Sequence, residues 1–513
     1  MSNDVYYRPP WTCGKYNADK HVAIMFNLIE GFDYFFEKEA ADIIGLILSV
    51  GKNGMISASK VSDNMQIVLP SINGFFGKLV KYGLLSQVPI SESIITEYKN
   101  ICKKKKKRTI GKTEEFFRKK DLNELSSAED AYDKAVMNYN TITSVMFELT
   151  YRCSENCIHC YNPGATRNDK ETSTRASLIE LTINDYKRII DELCDAGLVV
   201  ANISGGDPFS YHYVWEIIEY LYQKDVATKI FTNGQRLDGN IAKLAKYYPR
   251  DVKISVYSGV ASIHDGITRV KGSLDKTLSV IEQLVNHSIG VTINCPIMTR
   301  NVQSYSTVKE IGKKYNCNVV FDVTIIDSID GDICASQCLR LPPQILEVVL
   351  QDKSVGGYVS MDDSVSINGY GIDLRDGVPC DAGVSLFCIT PDGDLTPCNS
   401  MHMTIGNLKF QHFSDIIQTS KKLLEWRSMK HSQFLECWSH DYCSYCHFCI
   451  GNNYSEHGTP FKAGENNCYI AKVRYALAQK MKSNNSVTNT IDDFNYKDSE
   501  LHRQYREGKM KPL

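Results

Sequence analysis

No run of 18 consecutive apolar residues occurs anywhere in this chain of 513 residues, which gives no candidate membrane-spanning helix. The N-terminus, Met1-Ser-Asn-Asp-Val-Tyr-Tyr7, has neither the charged nor the apolar region of a secretory signal. An excess of one charge is also missing. The 58 Lys and Arg stand against 60 Asp and Glu, and a formal charge of −2 gives no global pull towards nucleic acid or a membrane surface. No internal repeat is visible. The expectation is a cytoplasmic protein with neither a membrane nor a nucleic acid as partner. In that setting its 18 cysteines are read as metal ligands and free thiols before disulfides. At 43% hydrophobic content the chain can bury more than one core, and its length fits about two to four domains.

Residues 1–95 read as one small domain. His21 to Asn27 and Phe32 to Glu37 alternate as strands around Glu30-Gly31, and Ala40–Val50 and Ser71–Leu85 follow with helical spacing. A hairpin followed by helices predicts a winged-helix-like fold. Against DNA binding, the second helix offers only Lys78 and Lys81 as phosphate contacts. Residues 96–140 form a charged linker containing Lys103-Lys-Lys-Lys-Lys-Arg108. From Ser144 the pattern becomes strand and helix in alternation. Strands are expected at Ser144–Leu149, Leu198–Ile203, Ala227–Thr232, Val252–Tyr257, Gly290–Cys295 and Val319–Ile325, with helices between them. Six strands joined by crossover helices predict an α/β fold with a parallel sheet, an incomplete (βα)6 barrel over residues 141–345. Active residues then belong at the C-terminal strand ends. Residues 346–480 form a cysteine-rich extension, and 481–513 a tail.

The first of those strand ends carries Leu149-Thr-Tyr-Arg-Cys153-Ser-Glu-Asn-Cys157-Ile-His159-Cys160-Tyr161. Three thiolates at this spacing can hold three corners of a cubane iron–sulfur cluster and leave the fourth iron open to an exogenous ligand. A zinc site is the alternative, closed by a fourth Cys or His, for which His159 is the nearby candidate. The second strand ends in Ser204-Gly205-Gly206-Asp207-Pro208, where two glycines let backbone approach a ligand and a carboxylate can accept from an ammonium group. Eight more cysteines lie between residues 380 and 468: Cys380, Cys388, Cys398, Cys437, Cys443, Cys446, Cys449 and Cys468. They suffice for two clusters of four thiolates each, with two zinc sites as the alternative.

The three-cysteine run, with His159 at the last variable position where that family usually has an aromatic residue or His, followed one strand later by Gly-Gly-Asp-Pro, resembles the radical S-adenosylmethionine (radical SAM) enzymes. Asp207 replaces their usual Glu. The resemblance implies that SAM's amine and carboxylate chelate the open iron, and that one electron from the cluster yields a 5′-deoxyadenosyl radical that abstracts a substrate hydrogen. It also implies cofactor contacts from His159, Tyr161, Gly205, Gly206, Asp207, Pro208, Ser255 and Asn294. The element Gly393-x4-Cys398 with Ile405-Gly-Asn-Leu408 resembles the SPASM extension of radical SAM peptide-modifying enzymes, which implies two auxiliary [4Fe–4S] clusters and three in all. By that resemblance Cys380 and Cys398 belong to an inner cluster and Cys437, Cys443 and Cys468 to an outer one. Cys388 either completes the inner set or faces a core, and either Cys446 or Cys449 crosses to it.

The N-terminal segment is similar to RiPP recognition elements, which take a leader peptide as an added strand; here the acceptor would be Asp33–Glu37, with Ser71–Leu84 as the other wall. The expectation is therefore a radical SAM oxidoreductase that matures a ribosomally made precursor peptide by an intramolecular crosslink, a thioether ahead of a C–C bond, supplied with electrons by a flavodoxin or ferredoxin. Alternatives are a peptide epimerase using Cys334 or Cys338 as hydrogen donor, and an anaerobic sulfatase-maturating-type enzyme. The latter family has Asp directly after the cysteine matching Cys398, where this chain has Asn399. A different class is a redox-sensing, DNA-binding regulator.

Overall fold

The computed structural model describes residues 4–109, 128–137, 141–162, 180–327, 334–355 and 380–483. Near the N-terminus, β1 (Val5–Tyr7) pairs antiparallel with β5 (Met55–Ser57), and β2 (Thr12–Asn17), β3 (Val22–Asn27) and β4 (Phe32–Glu37) form an antiparallel sheet in that order. The central strand β3 is Val-Ala-Ile-Met-Phe-Asn, buried at every position, because it is covered on both faces. Ala23 and Met25 pack against Ile44, Ile47, Phe76 and Leu79 of the helices Lys38–Ser49 and Leu69–Lys81. Val22, Ile24 and Phe26 point the other way, onto Tyr132 and Val136 of the helix Ala128–Val136 and onto Val199, Val200 and Ala227 of the barrel.

The junction with the barrel is pinned by charge as well as by apolar contact. Arg8, 0% exposed, donates to both carboxylate oxygens of Asp225 at 2.6 and 3.0 Å, and Lys52 also pairs with Asp225. At the next point of contact Glu129 pairs with Arg250 and Lys229. The charged segment is helical where described, over Glu92–Thr109 and Ala128–Val136, so the first of these helices crosses the boundary drawn at residue 95.

The barrel strands are β6 (Ser144–Glu148), β7 (Val200–Ser204), β8 (Ala227–Thr232), β9 (Asp251–Ser255), β10 (Val291–Pro296) and β11 (Asn318–Asp322), parallel and adjacent in sequence order. All six match expected strands to within a few residues. The expected helix Asn240–Tyr247 is a single turn, Ile241–Leu244. Beyond β6 the sheet continues: β12 (Leu386–Ile389) adds in parallel, followed by β13 (Asp394–Thr396) and β14 (Gly406–Asn407) in antiparallel.

Side chains alternate across the barrel sheet. Val145, Phe147, Ile203, Ile230, Val252, Ile254 and Ile293 face the helices and form the main core with Ile189, Ile190, Ile217, Ile218, Val280 and Leu284. Strand alternation then places Glu148, Asn202, Ser204, Lys229, Lys253, Ser255 and Asn294 on the opposite, concave face. A closed parallel barrel fills its interior with branched apolar residues. Here Met146 and Phe231 share that face with the polar groups, and at its lower end Val200 and Ala227 pack against the N-terminal domain, so the polar positions Glu148, Ser204, Ser255 and Asn294 gather at the upper, C-terminal strand ends.

The helix Glu465–Lys482 ties the extension back to the barrel: Tyr469 donates to Leu341 O at 2.6 Å, Asn466 to Ile325 O at 3.2 Å, and Lys480 pairs with Glu347 at 2.6 Å. The tail beyond 483 lies outside the described residues. Among the described residues no helix is long and apolar enough to cross a membrane.

Candidate metal centre and cofactor cradle

The loop after β6 is held by its neighbours' backbones. Gly206 N donates to Thr150 O at 2.7 Å and Asp207 N to Arg152 O at 3.0 Å, while Asn156 N and Ile158 N reach Thr268 O and Ile267 O at 3.1 and 3.0 Å. Arg152 pairs with Glu180 at 2.8 Å, and Glu180 also accepts from Thr150 Oγ1. Thr268 is thereby committed to the loop, with its own hydroxyl against Ser273, and its neighbour Arg269 is exposed.

Within this loop Cys153 Sγ accepts from Asn233 Nδ2 and Glu155 N, both at 3.4 Å. Cys157 Sγ lies 3.7 Å from Tyr257 Oη and donates to Glu155 Oε2 at 3.4 Å. Burial pushes the Cys153 thiol up to about 12 and that of Cys157 well above the ordinary thiol value. Burial also lowers His159 to about 4, so its imidazole is neutral, set edge-on to the Tyr257 ring at 4.9 Å. Glu155 Oε1, His159 Nδ1 and Asp207 Oδ2 are buried without a hydrogen-bond partner. Such clustering of orphaned polar atoms around three thiols is costly unless a bound group satisfies them. Among the described residues no three His, Cys, Asp or Glu side chains converge as they would around one metal ion. A cubane spreads its ligands over separate irons and does not require that convergence.

Gly205 and Gly206 pack directly on this loop. A Cβ on Gly205 would sit 2.3 Å from Thr150 O, and one on Gly206 would sit 2.5 Å from Arg152 O and Tyr151 O. The Gly205 carbonyl accepts from Asn162 Nδ2 at 2.8 Å. Asp207 is wholly buried; its Oδ1 accepts from Thr232 Oγ1 at 2.8 Å, and burial raises its carboxyl to about 6. Pro208 opens a short 3-10 turn behind it. Ser255 and Asn294 are direct partners on β9 and β10, side by side on the concave face. Tyr161 accepts from Asn399 Nδ2 at 3.4 Å, which links the three-cysteine loop to the extension.

In the extension, Cys437, Cys443, Cys446, Cys449 and Cys468 line one cavity together with Tyr442, Phe448, Asn453 and Asn467. Cys446, pushed up to about 12 by burial, feels the charges of Cys468, Cys437 and Cys443. Cys398 is likewise raised to about 12 by burial, and feels Cys449 and Cys380. Cys449 thus stands between the two groups. Cys388 is buried on β12, raised by burial and by the nearby Glu148 carboxyl and Cys398. Cys338 is 4% exposed in the wall of the barrel, and the side chain of Cys334 lies outside what is described.

The model of the radical SAM superfamily matches residues 147–310, and that of the SPASM iron–sulfur cluster-binding domain matches residues 380–450. The chain carries a radical SAM domain and a SPASM domain. The subtilosin biosynthesis protein AlbA of Bacillus subtilis is 26% identical over 315 residues, 60% of this chain and 66% of AlbA. The mycofactocin maturase MftC of Mycobacterium tuberculosis is 32% identical over 175 residues, 34% of this chain and 42% of MftC. The chain thus spans less than two thirds of the length of either relative. Among solved structures, Streptococcus suis SuiB bound to its precursor peptide SuiA aligns with a TM-score of 0.52 at 14% identity, covering 90% of this chain and 99% of SuiB, a likeness of fold.

The radical SAM residues fit a thiolate-held cluster and SAM on the geometry above: three half-buried thiols, a glycine cradle pressed on the same loop, and an orphaned carboxylate oxygen. Asn233, Tyr257, Glu155 and Glu180 escaped the sequence reading as site residues. Asn233 and Tyr257 sit in the third and fourth strand-end motifs, Thr232-Asn-Gly and Ser255-Val-Tyr, and position was the available signal. Glu180 has no sequence pattern to mark it.

Proposed function

We propose that this protein is a radical SAM maturase that installs a crosslink, most readily a thioether, in a ribosomally synthesised precursor peptide whose leader docks on the N-terminal domain. The observation that carries the reading is the polar upper end of the lumen, with the three-cysteine loop and glycine cradle at one rim and the second cysteine field, joined through Tyr161 and Asn399, beside it. Bound there, SAM and the reduced cluster would supply the 5′-deoxyadenosyl radical. Cys153, Cys157 and Cys160 would hold the cluster, and the Asp207 carboxylate and Gly205 carbonyl would accept hydrogen bonds from SAM's amino group. Ser255 and Asn294 meet the nucleoside. Cys437, Cys443, Cys446 and Cys468 form the outer auxiliary set; Cys380, Cys398 and Cys449, completed by Cys388, form the inner one. Support for this division comes from the mutual charge effects of these thiols.

Peptide as substrate is supported by the relatives, among them a PqqA peptide cyclase of Rhodopseudomonas palustris and the maturase MftC, and by the peptide bound to SuiB. The outer edge of β4 is free of a strand partner among the described residues, and Tyr34 and Phe36 on it meet Tyr82 and Phe75 of the neighbouring helix region at 4.9 and 6.1 Å. A leader added there would gain main-chain hydrogen bonds and an aromatic groove. A flavodoxin or ferredoxin supplies electrons in this reading.

The test is incubation of anaerobically reconstituted protein with SAM, dithionite and a candidate precursor peptide. Formation of 5′-deoxyadenosine together with a peptide product lighter by two hydrogens is expected; absence of 5′-deoxyadenosine with clusters intact refutes the proposal. A second reading, chemistry on a tetrapyrrole, is favoured by one observation: an AdoMet-dependent heme synthase of Methanosarcina barkeri is 23% identical over 93% of its own length. Turnover of an iron porphyrin but of no peptide would select it.

A further inference from the structure

The helix Glu465–Lys482 brings Cys468 to the five-cysteine cavity and carries two cations close behind it, Lys472 and Arg474. Lys472 is exposed, with Nζ 5.1 Å from the Tyr442 ring centre. Arg474 is drawn inward. Its Nη1 donates to Tyr445 O at 3.5 Å, and its Nε is buried with no hydrogen-bond partner. The ionisable groups around it are Cys446, Asp322 at the end of β11, and His447. Asp322 is exposed, and its Oδ1 already accepts from Thr324 N at 2.8 Å, so solvent screens much of its charge.

A guanidinium remains charged at every working pH. A buried N–H of such a group without an acceptor is rare in a native fold unless a bound group supplies one. Thiolate and sulfide sulfurs of a cluster are acceptors of that kind, and the potential of a cluster follows its net charge and the hydrogen bonds to its sulfurs. We propose that Arg474 tunes the outer auxiliary cluster: its half-buried guanidinium, tied to the carbonyl of Tyr445 directly before Cys446 and with Nε enclosed, raises that cluster's reduction potential and makes it hold an electron more readily than the exposed Lys472 could arrange. This rests on the assignment of an outer cluster to Cys437, Cys443, Cys446 and Cys468 in the preceding section.

The experiment is a potentiometric titration, followed by electron paramagnetic resonance, of the reconstituted full-length protein and its Arg474→Gln and Lys472→Gln variants, with iron content measured alongside. Arg474→Gln is expected to make the outer cluster about tenfold harder to reduce at a fixed potential, a fall of about 59 mV for a one-electron couple, at unchanged iron. Lys472→Gln should move it far less. An unchanged potential in Arg474→Gln at full iron overturns the inference. A wild-type chain that binds zinc, or no iron, in this cavity overturns the underlying cluster assignment instead. Should Arg474→Gln shed iron, Arg474→Met, which keeps the aliphatic stem, is judged by the same criterion; loss of iron in both gives Arg474 a purely structural role and also refutes the proposal.

Discussion

Replacing Gly205 by Ala tests whether the cradle and the cysteine loop act as one unit. Two costs add at this position. Gly205 has φ +131°, a conformation that L-residues rarely adopt, which costs about 1–3 kcal/mol. Its new Cβ would also lie 2.3 Å from Thr150 O and 3.2 Å from Thr150 N, backbone atoms that cannot rotate away, and overpacking of this kind costs about 1–3 kcal/mol. Relief requires the loop to part from the cradle, breaking the Gly206 N to Thr150 O bond of 2.7 Å. Even the lower sum of about 2 kcal/mol corresponds to about a 30-fold weaker SAM site. The assay is equilibrium binding of SAM to reconstituted protein, with 5′-deoxyadenosine formation as a second readout. Gly239→Ala is the control, because Gly239 has φ +79° with nothing within 4 Å of an added Cβ and so carries the conformational cost alone, away from the loop. SAM affinity within twofold of wild type in Gly205→Ala would refute the reasoning.

Changing Cys153, Cys157 and Cys160 together to Ala should lower iron by about a third, from about twelve to about eight per chain, and abolish SAM cleavage; retention of either quantity contradicts the assignment. Burial raises Asp207 to about 6, and hydrogen bonds from SAM's amino group favour its ionised form, so SAM affinity should climb as pH rises towards 6 and level off above it; Asp207→Asn should bind weakly with a flat profile. For apo-protein the sign is opposite: a raised carboxyl makes the fold lose stability as pH rises from the ordinary carboxylate range to about 6. Asp225→Ala leaves Arg8 buried and uncompensated, with an expected loss of about 3–5 kcal/mol, read as earlier melting and faster proteolysis at the junction of the N-terminal domain. Tyr82→Ala should weaken leader-peptide binding while sparing SAM cleavage without peptide; equal loss of both would place Tyr82 in the fold and not in a binding groove.

The barrel was legible because its strands and helices alternate at distinct periods over about 180 residues, and because cysteines and glycines at strand ends have few other reasons to recur. The continuation of the sheet was not. Strands β12 to β14 are two to four residues long, too short for a period to show, and the pairing of β12 with β6 joins residues more than 200 positions apart. Pairing of β1 with β5 has the same origin. The outward-facing halves of the barrel strands gave the core, but the meaning of their polar halves depends on the sheet being curved and open, which no local pattern states.

That open sheet makes one consequence unavoidable for the N-terminal domain. Its β3 face is closed by Tyr132, Val136 and barrel residues Val199, Val200 and Ala227, and its Arg8 is locked to Asp225, so neither face can receive a peptide and the domain cannot be removed without exposing the barrel. What remains accessible is the β4 edge, at the end of the barrel opposite the cysteine loop. A leader held there must send the following residues around the barrel wall before the reacting side chain enters the lumen. Shortening the spacer between leader and modified residue in a precursor peptide should therefore abolish modification at undiminished leader affinity. Modification that tolerates any spacer, down to a few residues, would show that the leader does not bind at β4.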